Sequence, residues 1–161
     1  MSDQHEHVGL MVEGAPPGKT QPVEVEAISA NHYRVLYSPG FVEGIAAGDT
    51  IRIIDRGLGL FEVVSRGGNV AIKFATEQPI ADVLQFISTE LALLGGRFDG
   101  AIEHVGVWTV PVVAGFKEIE SALARAVALM PGSQWWYGNV YDDKGNPLLW
   151  WEHSPAAQDD A

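Results

Sequence analysis

The sequence contains no cysteine, which excludes disulfides, thiolate metal sites and a thiol nucleophile. Histidine is also sparse, with five residues spread along the chain. His5 and His7 flank Glu6, but no third ligand lies at a local spacing, and functional zinc sites need three or four converging ligands. We therefore expect neither an intrinsic metal nor an organic cofactor.

Basic residues are few: 10 lysines and arginines stand against 21 acidic residues, for a formal net charge of -11. This charge disfavours binding to phosphate backbones and to anionic membranes, so no nucleic-acid or membrane partner is expected. A basic protein is the natural complement. No apolar run is long enough to span a membrane, and Met1 to Val8 does not resemble a signal peptide. Together with the lack of cysteine, this predicts a cytoplasmic protein.

Motifs for catalysis are missing as well. The sequence has no G-x-S-x-G elbow, no H-E-x-x-H and no phosphate-binding loop that ends in Gly-Lys-Ser/Thr. The pair Glu103-His104, with Asp99 nearby on the same predicted strand, is a candidate carboxylate-imidazole base. A solvent-exposed histidine at the edge of a hairpin is the more frequent role of such a residue.

The clearest structural pattern lies between Asn69 and Tyr141. Val70, Ile72 and Phe74 alternate with smaller or polar residues, as in a strand with one well-buried face. Thr76 can cap a helix whose first turn holds Pro79, and the apolar residues that follow recur at three- and four-residue spacing until Gly95-Gly96.

The second half of this region repeats the alternation of strands and helix. Phe98–His104 and Val107–Val113 are predicted strands that reverse at Gly106, so they should form a hairpin. A second amphipathic helix begins near Phe116 and stops at Pro131-Gly132, and Gln134–Tyr141 supplies the last strand. The resulting β-α-β-β-α-β order predicts a ferredoxin-like sheet with both helices on one face. An α+β sheet with another strand order has the same pattern and stays open as the alternative.

Four short strands precede this region and alternate without any helical pattern. They predict a small antiparallel, barrel-like β unit, and they comprise Pro22–Ala27, Tyr33–Tyr37, Thr50–Ile54 and Leu60–Val64. Before the third of them, Gly48 is expected to take a positive φ, and the Asp49 carboxylate to accept hydrogen bonds from nearby backbone amides.

Turn and strand motifs in this unit resemble those of a known bacterial family. The motifs are Pro22-Val23-Glu24-Val25-Glu26, Tyr33-Arg34-Val35, Ser38-Pro39-Gly40-Phe41 leading through Gly44-Ile45 to Gly48-Asp49, and Arg66-Gly67-Gly68-Asn69. They look like the family catalogued as domain of unknown function 4265, and the resemblance covers most of residues 22–141. The resemblance implies no particular activity.

A strong turn signal at residues 142–147 precedes Leu148-Leu149-Trp150-Trp151, which is predicted to return as an added C-terminal hairpin strand. Adjacent tryptophans in a strand point to opposite faces, so one of each pair should face outward. Tryptophan is enriched in binding hot spots, and acidic side chains on the same hairpin would steer a basic partner. The candidate partner-binding residues are Trp135, Trp136, Asp142, Asp143, Trp150, Trp151 and Glu152.

The predicted organisation has four parts: a flexible N-terminal arm at 1–20, the β unit at 21–67, the ferredoxin-like unit at 68–153 and a disordered acidic tail at 154–161. Only Gly67-Gly68 separates the two units, too little chain for independent domains. The predicted function is a non-enzymatic, acidic protein-binding module, for example an immunity protein or antitoxin that neutralises a basic bacterial toxin. The alternative is a small-ligand sensor or an enzyme with a pocket between the two units.

The expected lack of a metal gives the first testable prediction. Treatment with a chelator should leave the melting temperature unchanged, because no set of three or four ligands is evident in the sequence. Thermal unfolding with and without the chelator measures this. Stoichiometric metal in protein purified without an affinity tag would contradict the prediction.

Overall fold

The computed structural model describes residues 5–153, which form two antiparallel sheets and two α-helices. The α+β class is therefore confirmed. The first sheet contains, in spatial order, β1 (His5–Met11), β2 (Thr20–Ser29), β3 (His32–Val35), β4 (Thr50–Asp55) and β5 (Leu60–Ser65). The predicted acidic tail at 154–161 lies outside the described residues, as do residues 1–4 of the predicted arm.

The N-terminal segment forms a strand, where the sequence predicted a flexible arm. β1 pairs with β2 along its whole length, from His5 opposite Glu26 to Met11 opposite Thr20. Only Val8 and Leu10 of this strand reach the core, and the polar residues at its start are exposed. Two apolar residues are too few to reveal a strand by periodicity, so the pairing with β2 decided this segment.

The first sheet has its own core, but it is not a closed barrel. Alternate residues of the strands are buried together with Val42 and Ile45 from the β3–β4 loop. The first and last strands approach each other where the Met11 amide donates a hydrogen bond of 3.0 Å to the Gly59 carbonyl, in the turn before β5. The barrel-like prediction was therefore wrong in its detail, because β1 and β5 do not pair along their length.

The second sheet follows directly and has the strand order β7-β8-β6-β9. Its strands are β6 (Asn69–Ala75), β7 (Arg97–Ile102), β8 (Val105–Pro111) and β9 (Gln134–Tyr137). Helix α1 (Ala81–Ala92) connects β6 to β7, and helix α2 (Phe116–Leu129) connects β8 to β9. The predicted element order is confirmed. In the described residues, neither helix is long and apolar enough to cross a membrane.

One face of this sheet and the two helices enclose the larger core. Val70, Ile72 and Phe74 of β6 lie in it together with Trp108 of β8, and all four are fully buried. The helices contribute residues at three- and four-residue spacing: Val83, Ile87, Leu91, Ile119, Leu123 and Ala126. In this core, strands whose apolar residues recur every two positions pack on helices whose apolar residues recur every 3.6 positions. Both periods are visible in the sequence, so this region was predicted best.

Two predicted boundaries shift. Helix α1 begins at Ala81, and the Thr76 hydroxyl donates to the Gln78 carbonyl instead of capping the helix. The β7–β8 hairpin reverses at Glu103-His104, where Glu103 has a φ of 42°, and not at Gly106. Gly106 lies within β8 for a packing reason: a Cβ there would lie 2.6 Å from the Trp108 ring.

The added C-terminal hairpin strand was predicted wrongly. Between β9 and residue 153, the end of the described part, the chain makes a single isolated bridge, between Tyr141 and Pro147, and residues 150–152 form a 3-10 turn. Leu149 has a φ of 60°, in the left-handed region, and so turns the chain away from an extended path. The edge of β6 beyond β9 is occupied by Asn139, whose side chain accepts from the Ala71 amide and donates to the Asn69 carbonyl.

The other face of the second sheet is covered by the long β3–β4 loop, residues 36–49. Within this loop, Ser38 lies 2.6 Å from the Thr109 hydroxyl of β8, measured between the two side-chain oxygens. Lys73 of β6 is fully buried beneath the loop, with its Nζ 2.6 Å from a Glu43 carboxylate oxygen and 3.2 Å from the Val42 carbonyl oxygen. Gly138 crosses the lysine stem so closely that a Cβ there would lie 2.9 Å from Lys73 Cε.

The end of this loop is fixed by the buried carboxylate of Asp49, as the sequence predicted. Gly48 has a φ of 96°, and Asp49 accepts hydrogen bonds from the Ala46 and Gly67 amides at 3.0 and 2.9 Å. Arg66 donates to the same carboxylate at 3.1 Å. Burial raises the pKa of Asp49, and the Gly67 amide and the Arg66 charge oppose that shift. The carboxylate therefore links the first sheet to the chain that enters β6.

These shared contacts predict that the two sheets unfold together. The hydrogen bonds of Ser38, Asp49 and Asn69 cross between the β3–β4 loop and the second sheet or the chain that enters it, and they are buried or half-buried. Because the loss of either sheet would leave these groups unpaired, we expect one calorimetric transition for the whole chain. Two well-separated transitions would show that the sheets are independent.

The buried lysine predicts an asymmetric response to mutation. Glu43→Ala removes the charged partner of Lys73 and should reduce the free energy of unfolding by about 3 kcal/mol. Lys73→Met in the same background should recover most of that loss, because no buried charge then lacks a partner. Glu62→Ala is the matched control: it breaks the exposed Arg52–Glu62 pair and should cost less than about 1 kcal/mol. Denaturant unfolding of the wild type and the three variants measures these differences.

The same lysine predicts a pH dependence. Burial lowers the pKa of Lys73 below its ordinary value of 10.5, although Glu43 partly opposes this. Between the folded-state pKa and 10.5, the unfolded chain binds the proton more readily, so the lysine's destabilising contribution disappears as the pH rises. The stability advantage of Lys73→Met over Lys73, in the Glu43→Ala background, should shrink over this range. An advantage that is constant with pH would contradict the assignment.

Candidate functional site

The predicted tryptophan anchors have different environments. Trp136 is 40% exposed and lies opposite Lys73 in the β6–β9 pairing, whereas Trp135 is half-buried on the helix-covered face. The expected alternation therefore holds for this pair. Trp136 can contact a partner without disturbing the core. Trp135 packs on the core, so only part of its side chain is accessible to a partner.

The other two tryptophans both pack against the helix-covered core. The Trp150 indole donates a hydrogen bond of 2.8 Å to the Asn139 carbonyl, and the Arg66 guanidinium lies 5.6 Å from the centre of the Trp150 ring. Trp151 contacts Phe116 edge to face, with 5.0 Å between ring centres. The 3-10 turn allows adjacent side chains to pack on the same core, so strand alternation does not apply to them. Glu152, next to them, is exposed.

The predicted acidic residues Asp142 and Asp143 line a groove of about 380 Å³ between the C-terminal segment and the first sheet. We call it the acidic groove, and its charged lining residues are Glu13, Glu43, Glu62, Arg66, Asp142 and Asp143. The apolar lining includes Tyr141, which is 52% exposed, and Leu148, which is 36% exposed. Five carboxylates therefore surround exposed apolar side chains. Glu43 and Glu62 are paired with Lys73 and Arg52, and Arg66 is bonded to Asp49. Within residues 5–153, Glu13, Asp142 and Asp143 form no ion pair and carry the uncompensated charge of the groove.

Asp142 has a structural role within this groove. One of its carboxylate oxygens accepts hydrogen bonds from the Lys144 and Asn146 amides at 2.8 and 2.9 Å. These amide donors lower the pKa of Asp142, so it stays ionised and holds the turn. The negative charge of the groove and the shape of the turn therefore depend on the same residue.

A second concavity lies between the two sheets and has a volume of about 460 Å³. We call it the inter-sheet cleft. Its walls are residues 21–24 of β2, residues 37–41 of the β3–β4 loop and residues 99–102 of β7, and His7, Val105 and Val107 complete them. Tyr37, Phe41 and Ile102 expose large apolar surfaces there. This volume is within the range of roughly 300–1,000 Å³ that is typical of ligand pockets.

The base of the cleft is polar and internally bonded. Asp99 accepts hydrogen bonds from the Ser38 amide at 3.1 Å, from the Thr109 hydroxyl and from the Arg97 side chain. Burial raises the pKa of Asp99, and these donors oppose the shift. The Ser38 hydroxyl in turn accepts from the Ala47 amide. The side chains at this position hold the loop on β8, and the buried Ser38 hydroxyl is not placed as a nucleophile.

The candidate base Glu103-His104 is not assembled with Asp99. Both residues occupy the β7–β8 turn, where the His104 ring donates to the Gln78 carbonyl at 3.2 Å. Asp99 instead bonds with Arg97, Ser38 and Thr109. Within residues 5–153, no three histidine or acidic side chains converge in a way that could hold a metal ion.

Sequence reasoning named a pocket between the two units as an alternative but did not identify the residues that line the cleft, because its walls come from distant parts of the chain. The sequence signal for the cleft is Ser38-Pro39-Gly40-Phe41. As a local pattern this segment predicts only a turn, although its aromatic residue is exposed. Asp142 and Asp143, which the sequence suggested as partner-binding candidates, lie in the acidic groove. Its contributions from Glu13 and Glu43 depend on how the first sheet meets the C-terminal segment, which no local pattern encodes.

Comparison with solved structures supports the fold. The chain is similar to a hypothetical protein from Neisseria gonorrhoeae with a TM-score of 0.62 and 13% sequence identity, over 86% of this chain and 95% of that one. At this identity the likeness concerns the fold alone. No curated protein matches the chain at a significant level.

The sequence motifs of the β unit and of the helix-covered sheet are shared with a protein family. The family model described as Domain of unknown function (DUF4265) matches residues 22–130, which include β2 to β8 and both helices. This match covers more than half of the 161 residues. The chain therefore belongs to the DUF4265 family.

Proposed function

We propose that this protein binds a basic protein partner and that the acidic groove is its working surface. The observation that carries the proposal is the placement of exposed Tyr141 and Leu148 among five carboxylates. Acidic side chains steer a basic partner toward a surface, and aromatic and apolar side chains that become buried supply most of the affinity.

The anchors differ from those suggested by the sequence. Trp150 and Trp151 already pack on the core, so their replacement would cost stability before it affected binding. Tyr141 and Leu148 occupy the groove and are exposed, which makes them better anchors. Trp136 remains a candidate because it is exposed, and Glu152 adds negative charge close to the core-packed tryptophans.

The concrete form of this proposal is an immunity protein or antitoxin that neutralises a basic toxin in the cytoplasm. The net charge of -11, the absence of cysteine and the lack of catalytic sequence motifs support it. We also propose to classify the second sheet as ferredoxin-like. Its strand order β7-β8-β6-β9, with helical connections after β6 and after β8, supports that classification.

A small-ligand sensor or enzyme with a site between the two sheets is the second candidate. The inter-sheet cleft favours it, because Tyr37, Phe41 and Ile102 offer apolar contacts beside the carboxylate of Asp99. A binding role is better supported than catalysis, since the polar groups at the base of this cleft are bonded to one another.

Charge reversal in the groove tests the proposed function. The double variant Glu13→Lys/Asp143→Lys should slow association with a basic partner by about tenfold or more at low ionic strength, and less at high salt. Asp142 is left unchanged because it holds the turn. Asp82→Lys/Glu103→Lys makes the same change of net charge away from the groove and should leave the rate nearly unchanged. The partner is first isolated by affinity capture from the native host with the wild-type protein.

The apolar part of the groove is tested with Tyr141→Ala. Truncation of this exposed side chain should weaken the complex by about 2 kcal/mol, while the free energy of unfolding changes by less than about 0.5 kcal/mol. Calorimetric titration and denaturant unfolding measure the two quantities. A partner without basic character, or equal capture by the groove variant and its control, would show that the binding surface lies elsewhere.

A further inference from the structure

The inter-sheet cleft is lined by the edge of a strand. Among the strands of residues 5–153, β7 is the outermost of the second sheet and has a neighbour on one side only, β8. Four consecutive residues, 99–102, line the cleft. The bulge before Gly100 interrupts the alternation of side chains there, but Ala101 and Ile102 pair regularly with β8, so their side chains point to opposite faces. Both can line one cavity only where the strand's edge faces it. The open backbone edge of β7 therefore faces the cleft.

The pairing register identifies the backbone groups at that edge. Ile102 and Val105 flank the two-residue turn Glu103-His104 and pair with each other. Such a turn is closed by a hydrogen-bonded pair, and pairs alternate along an antiparallel ladder. Ala101, opposite Gly106, is therefore in a non-hydrogen-bonded pair, and its N–H and C=O point away from β8. In the described residues, residues 99–102 make no backbone hydrogen bond outside this pairing.

The opposite wall of the cleft is also an open strand edge. β3 pairs with β2 only from Val25 onward, and the last contact on that side is the Leu36 amide with the Glu24 carbonyl at 3.0 Å. Residues 21–23 of β2 consequently have β1 on one side and the cleft on the other. The side chains of Tyr37 and Phe41 also line this space. Open strand edges bind extended segments through backbone hydrogen bonds, so the two edges favour an extended occupant over a globular one.

The edge of β7 lacks the usual protection in its cleft-lining part. Natural edge strands carry charges, prolines or bulges that prevent pairing with other chains. β7 has a bulge between Phe98 and Gly100, but the following residues, Gly100-Ala101-Ile102, have no charge and no proline. Ile102 is 63% exposed. This part of the edge is therefore available for pairing with an added strand.

Charge selects among extended segments. The carboxylates that line the cleft are Glu24 and Asp99, and no lysine or arginine of residues 5–153 is among the lining residues. Arg97 lies 3.1 Å from Asp99 and neutralises it. Glu24 is one-third exposed, and its nearest basic group is His5 at 3.9 Å. A basic side chain beside Glu24 would therefore meet uncompensated negative charge, in a protein of net charge -11.

We propose that the inter-sheet cleft binds an extended, basic segment of a partner protein, which adds to the edge of β7 as a fifth strand of the second sheet. The segment pairs its backbone with the Ala101 amide and carbonyl and places a lysine or arginine beside Glu24. At roughly 3.3 Å per residue, the cleft-lining part of β7 accommodates about four residues of the segment. This site is separate from the acidic groove, so it stands or falls independently of the proposed function.

The probe is a blocked hexapeptide of alternating valine and lysine, titrated into ¹⁵N-labelled full-length protein. Its binding should shift the amide resonances of Gly100, Ala101 and Ile102 and slow the hydrogen exchange of the Ala101 amide. A valine–glutamate peptide of the same length should bind at least about tenfold more weakly, because it places like charge beside Glu24. The Glu24→Gln variant should reduce this preference for lysine. An equal affinity for the two peptides would overturn the basic character of the segment.

Backbone pairing is tested separately from side-chain contacts. Ala101→Pro removes the outward N–H while keeping the hydrogen bonds of the β7–β8 hairpin, and proline is tolerated at such an edge position. It should weaken the peptide complex at least about fivefold. Ala101→Ser, the matched control, retains the N–H and should bind within about twofold of wild type. The unchanged amide spectrum of the remaining residues verifies that both variants are folded.

A peptide methylated on every backbone nitrogen, with unchanged side chains, completes the design. It should lose binding, because it cannot donate the hydrogen bonds of a strand. Equal binding of the methylated peptide, or of lysine amide alone, would overturn the proposal in favour of a small-ligand site. If no hexapeptide shifts the resonances of residues 99–102 at millimolar concentration, the cleft is not a strand-addition site.

Discussion

The buried carboxylate of Asp49 is the interaction on which the arrangement of the two sheets depends. It bonds to the Ala46 amide, within the β3–β4 loop, and to the Gly67 amide, just before β6. The two chain segments cross so closely that a Cβ on Gly67 would lie 2.4 Å from the Gly48 backbone. A charged group without partners at this depth would be strongly unfavourable, and Arg66 and the two amides offset part of that cost. The geometry of the crossing is therefore specified by a few polar atoms.

Both concavities of the molecule follow from this crossing. The β3–β4 loop lies on one face of the second sheet, held by Ser38 on Thr109 and by Val42 and Glu43 on Lys73. On one side of the loop, residues 37–41 form the inter-sheet cleft together with β2 and β7. On the other side, Glu43 and Arg66 meet the C-terminal segment and form the acidic groove. The family match covers residues 22–130, whereas Tyr141 to Leu148 in the groove lie beyond it. The groove is thus built partly from residues outside the matched region, and the cleft mainly from residues within it.

The polar junction between the sheets favours specificity over maximal stability. A buried lysine paired with a half-exposed glutamate contributes little net stabilisation, because desolvation of the ammonium opposes the attraction. An apolar junction would stabilise contact between the sheets in several relative positions. The hydrogen bonds of Lys73, Asn69 and Asn139 with defined partners permit a single position of one sheet relative to the other. The shapes of the cleft and the groove depend on that relative position. Binding surfaces assembled from two units need such a constraint.

The sequence by itself determined the elements whose apolar periodicity is complete. The strand β6, both helices and the four strands from β2 to β5 follow from spacing, and Gly48-Asp49 follows from turn chemistry, because these patterns depend only on neighbours along the chain. The tertiary structure alone decided three features: the pairing of β1, the reversal at Glu103-His104, and the inward packing of Trp150 and Trp151. β1 has too few core residues to show a period, and the non-glycine reversal takes an uncommon φ. The tryptophans pack where a left-handed residue ends the extended chain. The cleft and the groove each bring together residues more than sixty positions apart in the chain. Contacts between the sheets place these residues side by side, and a local sequence pattern does not contain such contacts.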